Sequence, residues 1–214
     1  IGPVREMCRF RRLCEADEMG CSALNLALGP LTMAAEQLKK RLGIPYLTLT
    51  YSHDPDEIHG FYQRLGEALG VELDDREDYL RAKAALTAAA EQLKGKRIVI
   101  GKNYGANPFQ LAKTLLEYGF QVTTVVKNKI TPKDKPVLAW LAEHAGDMRV
   151  YSGDHPTLNT LREDHEPADY VIGSDAQWFY PEARAVLTDS RNLNVCYQGV
   201  YYLTQQLTRG EEER

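Results

Sequence analysis

Short runs of β-branched and other apolar residues alternate along the chain with longer stretches in which apolar positions recur every three or four residues. That rhythm predicts βαβ units around a mostly parallel sheet. Residues 4–17 read as a basic helix stopped by Met19-Gly20. Residues 22–28 read as a strand, followed by a helix over 31–42 that Gly43 ends. A strand over 46–51 leads to Asp54-Pro55, a cap followed by proline at the first helical position, which opens a helix to about Leu69. A long alanine-rich helix is expected over 76–93, where helix propensity is high throughout. Gly95 marks a domain boundary. Beyond it, strands are expected at 97–100, 121–126, 149–151, 169–172 and 193–196. Helices are expected at 108–119 behind the Asn107-Pro108 cap, and at 132–144, 157–163, 176–186 and 199–207. The expected fold class is therefore α/β, as two consecutive Rossmann-like domains with mostly parallel sheets. They span residues 1–94 and 95–214, the second with a C-terminal helix and a charged tail.

With 214 residues, 43% hydrophobic and 26% charged, the chain can bury a sizeable core without disulfide or metal staples. A net charge of −4 argues against a dedicated nucleic-acid binder. No apolar run nears the roughly 18 residues a membrane helix needs, so neither nucleic acid nor membrane is expected as a partner. Residues 1–10 lack the layout of a signal peptide. Together with the sparse cysteines, that points to a reducing, cytoplasmic setting. The chain opens at Ile1 already inside a patterned segment and reads as a piece of a longer protein.

In open α/β sheets, ligands bind outside the carboxyl ends of the strands. Here those ends are Ser52-His53-Asp54, Gly101-Lys102-Asn103-Tyr104-Gly105, Lys127-Asn128-Lys129, Ser152-Gly153-Asp154 and Gly173-Ser174-Asp175, all short, polar or glycine-bearing. The glycines of the 101–105 loop let backbone approach a ligand, and the helix that follows offers N–H groups to an anion. Lys102, Lys127 and Lys129 add positive charge at the same edge. The run GKNYG matches neither the dinucleotide fingerprint nor the P-loop. Ser52, Gly101, Lys102, Asn103, Gly173 and Ser174 are the candidate cofactor-binding residues of an interdomain cleft. In the plainer reading the glycines serve only turns and Ser174 caps a helix. His53 reads as a solvated loop histidine. No catalytic residue is assigned: the histidines lack metal-ligand spacing and no Gly-x-Ser-x-Gly elbow is present.

Cys8, Cys14 and Cys21 are weak candidates for metal ligation, since clustered thiolates select iron–sulfur clusters, zinc and copper(I). They contain no C-x-x-C pair, and packed core cysteines are the favoured reading. Cys196 reads as core as well. The aromatics of Trp178-Phe179-Tyr180, with Tyr197, Tyr201 and Tyr202, either line an apolar pocket or seal the last helix onto the sheet, and the second is favoured.

The order of several segments resembles the nitrogenase component 1 family and its relatives. These are Leu38-Lys39-Lys40-Arg41-Leu42-Gly43-Ile44-Pro45-Tyr46, the stretch Leu93-Lys94-Gly95-Lys96-Arg97-Ile98-Val99-Ile100-Gly101, Ala168-Asp169-Tyr170-Val171-Ile172-Gly173-Ser174, and Tyr197-Gln198-Gly199-Val200. The resemblance runs from about Val4 to Leu207. The family comprises nitrogenase catalytic subunits, cofactor-assembly scaffolds and dark-operative tetrapyrrole reductases. It implies three Rossmann-like domains with a metallocofactor or tetrapyrrole between them, of which this chain resembles the second and third. It also implies a homologous or identical component 1-type partner subunit and reduction by an ATP-dependent iron–sulfur protein. An iron–sulfur cluster or related metallocofactor is implied for the full-length protein rather than for this stretch alone.

Two departures bear on that implication. Ala27-Leu28-Gly29 stands where the family's cofactor-ligating cysteine is expected, and residues 186–196 contain no histidine where its second ligand would fall. Dinitrogen reduction at an iron–molybdenum cofactor is therefore not expected. The expected function is that of a fragment of a component 1-like oxidoreductase subunit, inactive by itself. The alternative is a non-catalytic binding module or assembly scaffold for an anionic ligand or metallocluster.

Overall fold

The computed structural model of the chain describes residues 20–49, 51–155, 166–187 and 195–209. The expected helices over 4–17 and 157–163, and with them Cys8 and Cys14, lie outside the described residues, as does most of the expected 193–196 strand. The chain divides into two compact units. One takes residues up to Thr50 together with Phe61–Leu73, and the other takes Tyr51–Gly60 together with Asp74 onward.

In the first unit, β1 (Asn25–Leu28), α1 (Thr32–Leu42) and β2 (Tyr46–Leu49) form a βαβ unit. The strands pair in parallel from Asn25↔Tyr46 to Leu28↔Leu49. Gly43 ends α1 in the left-handed region, φ 75°, and donates its N–H to the Lys39 carbonyl at 2.9 Å. Lys39, Lys40 and Arg41 fill the last turn, where cations face the negative end of the helix dipole.

In the second unit, β3 (Arg97–Ile100), β4 (Gln121–Lys127), β5 (Arg149–Ser152), β6 (Tyr170–Ile172) and β7 (Arg184–Val186) make one parallel sheet in the order β5-β4-β3-β6-β7. Counted within the unit, this is the order 3-2-1-4-5 of a doubly wound fold, with its topological switch point between β3 and β6. Ile98, Val99 and Ile100 on β3 and Val171 and Ile172 on β6 are fully buried. A parallel strand covered on both faces has no polar side to alternate with, which is why these strands read as unbroken apolar runs.

α2 (Pro55–Leu69) passes from the second unit into the first, and α3 (Arg76–Gln92) packs on α7 (Cys196–Thr208). Ala82, Leu86, Ala89 and Leu93 are buried at helical spacing along α3, while Val200, Leu203 and Leu207 are buried on α7. The tyrosines of α7 seal this contact. Tyr197 Oη donates to Asp75 Oδ2 at 2.5 Å, and Tyr201 Oη donates to Asp78 Oδ1 at 2.9 Å. Asp75 also meets His59 Nδ1 at 2.9 Å, so one buried carboxylate ties the start of α3 to both α2 and α7.

α4 (Pro108–Glu117) starts at Asn107, whose Oδ1 accepts the Phe109 N–H at 3.1 Å, as its sequence predicts. α5 (Lys135–His144) follows a short 3₁₀ turn over Pro132–Asp134. The single helix expected over 176–186 is instead α6 (Ser174–Phe179) followed by strand β7. Pro181 explains the break: it cannot donate the next helical hydrogen bond, and it drives Tyr180 out of the helical region to φ −125°, ψ 67°. The residues after it then pair with β6, from Tyr170↔Arg184 to Ile172↔Val186. Cys196, expected on a strand, begins α7 with φ 54° and is only partly buried.

Candidate functional site

The carboxyl ends of β3 and β6 stay side by side, with the Gly101 N–H donating to the Ile172 carbonyl at 2.7 Å, and the contacts between the loops beyond them are set by two glycines and one acid. Asp175 Oδ2 accepts the Lys102 N–H at 2.8 Å, and Oδ1 accepts the Asn103 N–H at 2.9 Å. A Cβ on Gly101 would lie 2.4 Å from Asp175 Oδ1, closer than two such atoms can approach. Gly173 occupies φ 104°, a region open to glycine, and a Cβ there would also press on Oδ1, at 3.1 Å. The two successive amides of the β3 loop thus form a small anion-binding concavity. Its occupant is a side chain of the same unit.

This arrangement revises the expected anion edge. Gly101, Lys102, Asn103 and Gly173 do come together, but the Lys102 and Asn103 amides of the loop are engaged by Asp175, and at the start of the following helix, where the sequence places the anion donors, the Phe109 N–H is taken by Asn107 Oδ1. Lys127 is engaged as well: its ammonium meets Asp134 Oδ1 at 2.5 Å and Asn107 Oδ1 at 3.1 Å. Asp134 is fully buried. Burial alone would raise its pKa, but the Lys127, Thr131 and Asn107 hydrogen bonds outweigh that and hold it well below the ordinary carboxylate value. Lys102 keeps a looser pairing. Its ammonium lies 4.0 Å from Asp154 Oδ1, and its stem passes over Gly153, where a Cβ would meet Lys102 Cδ at 3.0 Å.

Ser174 is exposed at the first turn of α6 and makes no cap; Gly173 occupies the cap position. Ser52 is buried, and its Oγ accepts the Asp54 N–H at 3.1 Å, a local turn that shapes the approach to α2. His53 is not the solvated loop histidine its sequence suggests. It is 8% exposed, its ring lies 5.4 Å from that of Tyr104 on the β3 loop, and its Nδ1 has no hydrogen-bond partner. Desolvation pushes its pKa from 6.5 down to about 4 and that of the buried Tyr104 hydroxyl up. Asp175 and Tyr104 are the site residues that sequence reasoning missed. The Gly173-Ser174-Asp175 run was visible, but nothing local tells that Asp175 reaches a loop 73 residues away.

The family model described as Nitrogenase component 1 type Oxidoreductase matches residues 7–209. The chain belongs to the nitrogenase component 1 type oxidoreductase family. The solved structure of nitrogenase Cp1 at pH 6.5 is similar at a TM-score of 0.68 and 21% identity over 91% of this chain. That likeness confirms the α/β fold with parallel sheets. The chain spans 46% of the length of that nitrogenase chain. Aspartate transcarbamoylase from Trypanosoma cruzi in complex with phosphate aligns at a TM-score of 0.36 and 11% identity, over 88% of this chain and 81% of that one, too distant to imply a shared fold. No curated protein matches the chain by sequence.

Nitrogenase, a member of this family, implies metal clusters, so the donor set matters. Among the described residues no three His, Cys, Asp or Glu side chains converge on a point that could hold a metal ion. Cys21 is exposed rather than packed in a core, and Cys196 lies at the start of α7. No described helix is long and apolar enough to cross a membrane.

Two outcomes follow from this geometry. An alanine at position 101 must displace the Asp175 carboxylate from its two amides, so Gly101→Ala costs about 2 kcal/mol and Asp175→Ala about the same, the scale of charge-assisted hydrogen bonds. The double substitution costs little more than Asp175→Ala alone, a coupling of about 2 kcal/mol by urea denaturation; additive costs would contradict the geometry. His53 is held neutral in the fold, so between pH 6.5 and about 4 the unfolded chain binds the extra proton and stability falls with falling pH. From pH 7 to pH 5 that loss is about 2 kcal/mol. His53→Leu removes this part of the acid dependence, read as a flatter stability–pH curve over the same range.

Proposed function

We propose that the chain is part of a nitrogenase component 1-like oxidoreductase subunit, and that the carboxyl edge of its five-stranded sheet faces the cofactor or substrate on which the subunit acts. The family match over residues 7–209 carries the reading. The glycine-walled switch point between β3 and β6 supports it, because doubly wound sheets place their ligands there. In this reading Gly101, Asn103 and Gly173 shape the edge by seating Asp175 on the β3 loop, while Lys102 and Ser174 supply polar side chains at the rim. Ser52 acts through the turn it caps rather than by touching the ligand.

The subunit would pair with a homologous or identical component 1-type subunit and receive electrons from an ATP-dependent iron–sulfur protein. A redox cofactor would supply the electron-transfer chemistry, and this chain would supply positioning and electrostatics. The described residues offer no metal-ligand set, so a metallocofactor would depend on donors outside them. Cys8, Cys14 and the remainder of the longer subunit are where such donors would be sought. The two amides that hold a carboxylate at the switch point support a second reading, a non-catalytic binding module or assembly scaffold for an anionic ligand or metallocluster.

Iron and acid-labile sulfide content of the full-length natural protein, purified without oxygen, separates a cluster-bearing subunit or scaffold from a module that binds only an anionic ligand. The oxidoreductase reading expects near-stoichiometric iron and sulfide with a visible absorption band that bleaches on reduction. A colourless, iron-free protein would overturn it in favour of the binding module.

A further inference from the structure

The amide concavity at the switch point is built to take an anion, and this chain fills it from within. Doubly wound folds that bind nucleotides present the N–H groups of the first βα loop to a phosphate. Here the loop after β3, the central strand of the sheet and its first in chain order, presents the N–H groups of Lys102 and Asn103 at 2.8 and 2.9 Å to the two oxygens of Asp175. Gly101 and Gly173 wall the concavity, and a Cβ on either would press on Asp175 Oδ1. A bound phosphate would have to share those two donors with a carboxylate in contact with it, and like charges at such range repel strongly.

We propose that Asp175 is the residue that sets ligand selectivity at this edge: its carboxylate occupies the backbone amides of Lys102 and Asn103 and closes the switch point to phosphate and phosphate-bearing nucleotides. The proposal is independent of the redox reading, because it concerns which anion the loop can hold and not what the subunit reduces. The concavity itself is retained. Removing the carboxylate leaves two convergent donors between glycine walls, so phosphate gains a place.

Titration of inorganic phosphate into the chain, at constant ionic strength, tests this with Asp175→Ala beside the unsubstituted protein. Asp175→Ala is expected to bind phosphate at least roughly tenfold more tightly, a difference of about 1.4 kcal/mol. In the Gly101→Ala/Asp175→Ala double variant the new Cβ fills the vacated space and the gain is lost. If Asp175→Ala does not fold, judged by circular dichroism, Asp175→Asn serves instead. It keeps the shape and one acceptor while removing the charge, and a smaller gain of the same sign is expected. The proposal is overturned if the folded variant binds phosphate no more tightly than the unsubstituted chain. It is equally overturned if the unsubstituted chain already binds phosphate through the Lys102 and Asn103 amides.

Discussion

A carboxylate bound by two backbone amides holds the switch point of the second unit together. β3 and β6 are neighbours in the sheet, from Ile98↔Tyr170 to Ile100↔Ile172, and their loops lead into α4 and α6. The Gly101 N–H continues the pairing to the Ile172 carbonyl at 2.7 Å, and the next two amides of the loop, those of Lys102 and Asn103, turn to Asp175. Asp175 satisfies both of them, and it can do so only because Gly101 and Gly173 lack side chains. The same contact that stabilises the edge also decides what the edge can bind, so structure and selectivity rest on one residue.

The other charged groups divide into those that build the unit and those left at its surface. Asp134 with Lys127, and Asp75 with His59 and Tyr197, are buried or half-buried and join separate elements. Removing one partner from such a set leaves an uncompensated polar group and costs far more than the pair contributes as a whole. Lys102 with Asp154, at 4.0 Å and with Asp154 largely exposed, is of the other kind. A depression of about 520 Å³ at the opposite, amino end of β4 and β5, bordered by Gln121, His144, Asp147, Arg149 and Glu166, lies away from the switch point.

Most of the elements were legible in the sequence because local signals agreed with the fold. The apolar run of 97–100, the Asn107-Pro108 cap and the Gly43 stop each fix their element with residues a few positions apart. The reading failed where apolar spacing over 176–186 looked helical and Pro181 imposed a strand instead. The site was legible only as a set of strand ends. The GKNYG and Gly-Ser-Asp runs mark loops that the fold brings together, whereas the engagement of the Lys102 and Asn103 amides by Asp175, the burial of His53 and the capture of Lys127 by Asp134 depend on partners distant in sequence or on tertiary packing. Family membership was legible in the order of segments, none of which is specific by itself.

The claim that Asp175 fills the amide concavity is tested most directly by hydrogen exchange of the Lys102 and Asn103 amides in ¹⁵N-labelled protein. Both are predicted to exchange slowly for loop residues, and both are predicted to accelerate by about tenfold or more in Asp175→Ala while the β3 amides keep their protection. Exchange of the two amides at unprotected rates in the unsubstituted chain, with no response to Asp175→Ala, would contradict the account.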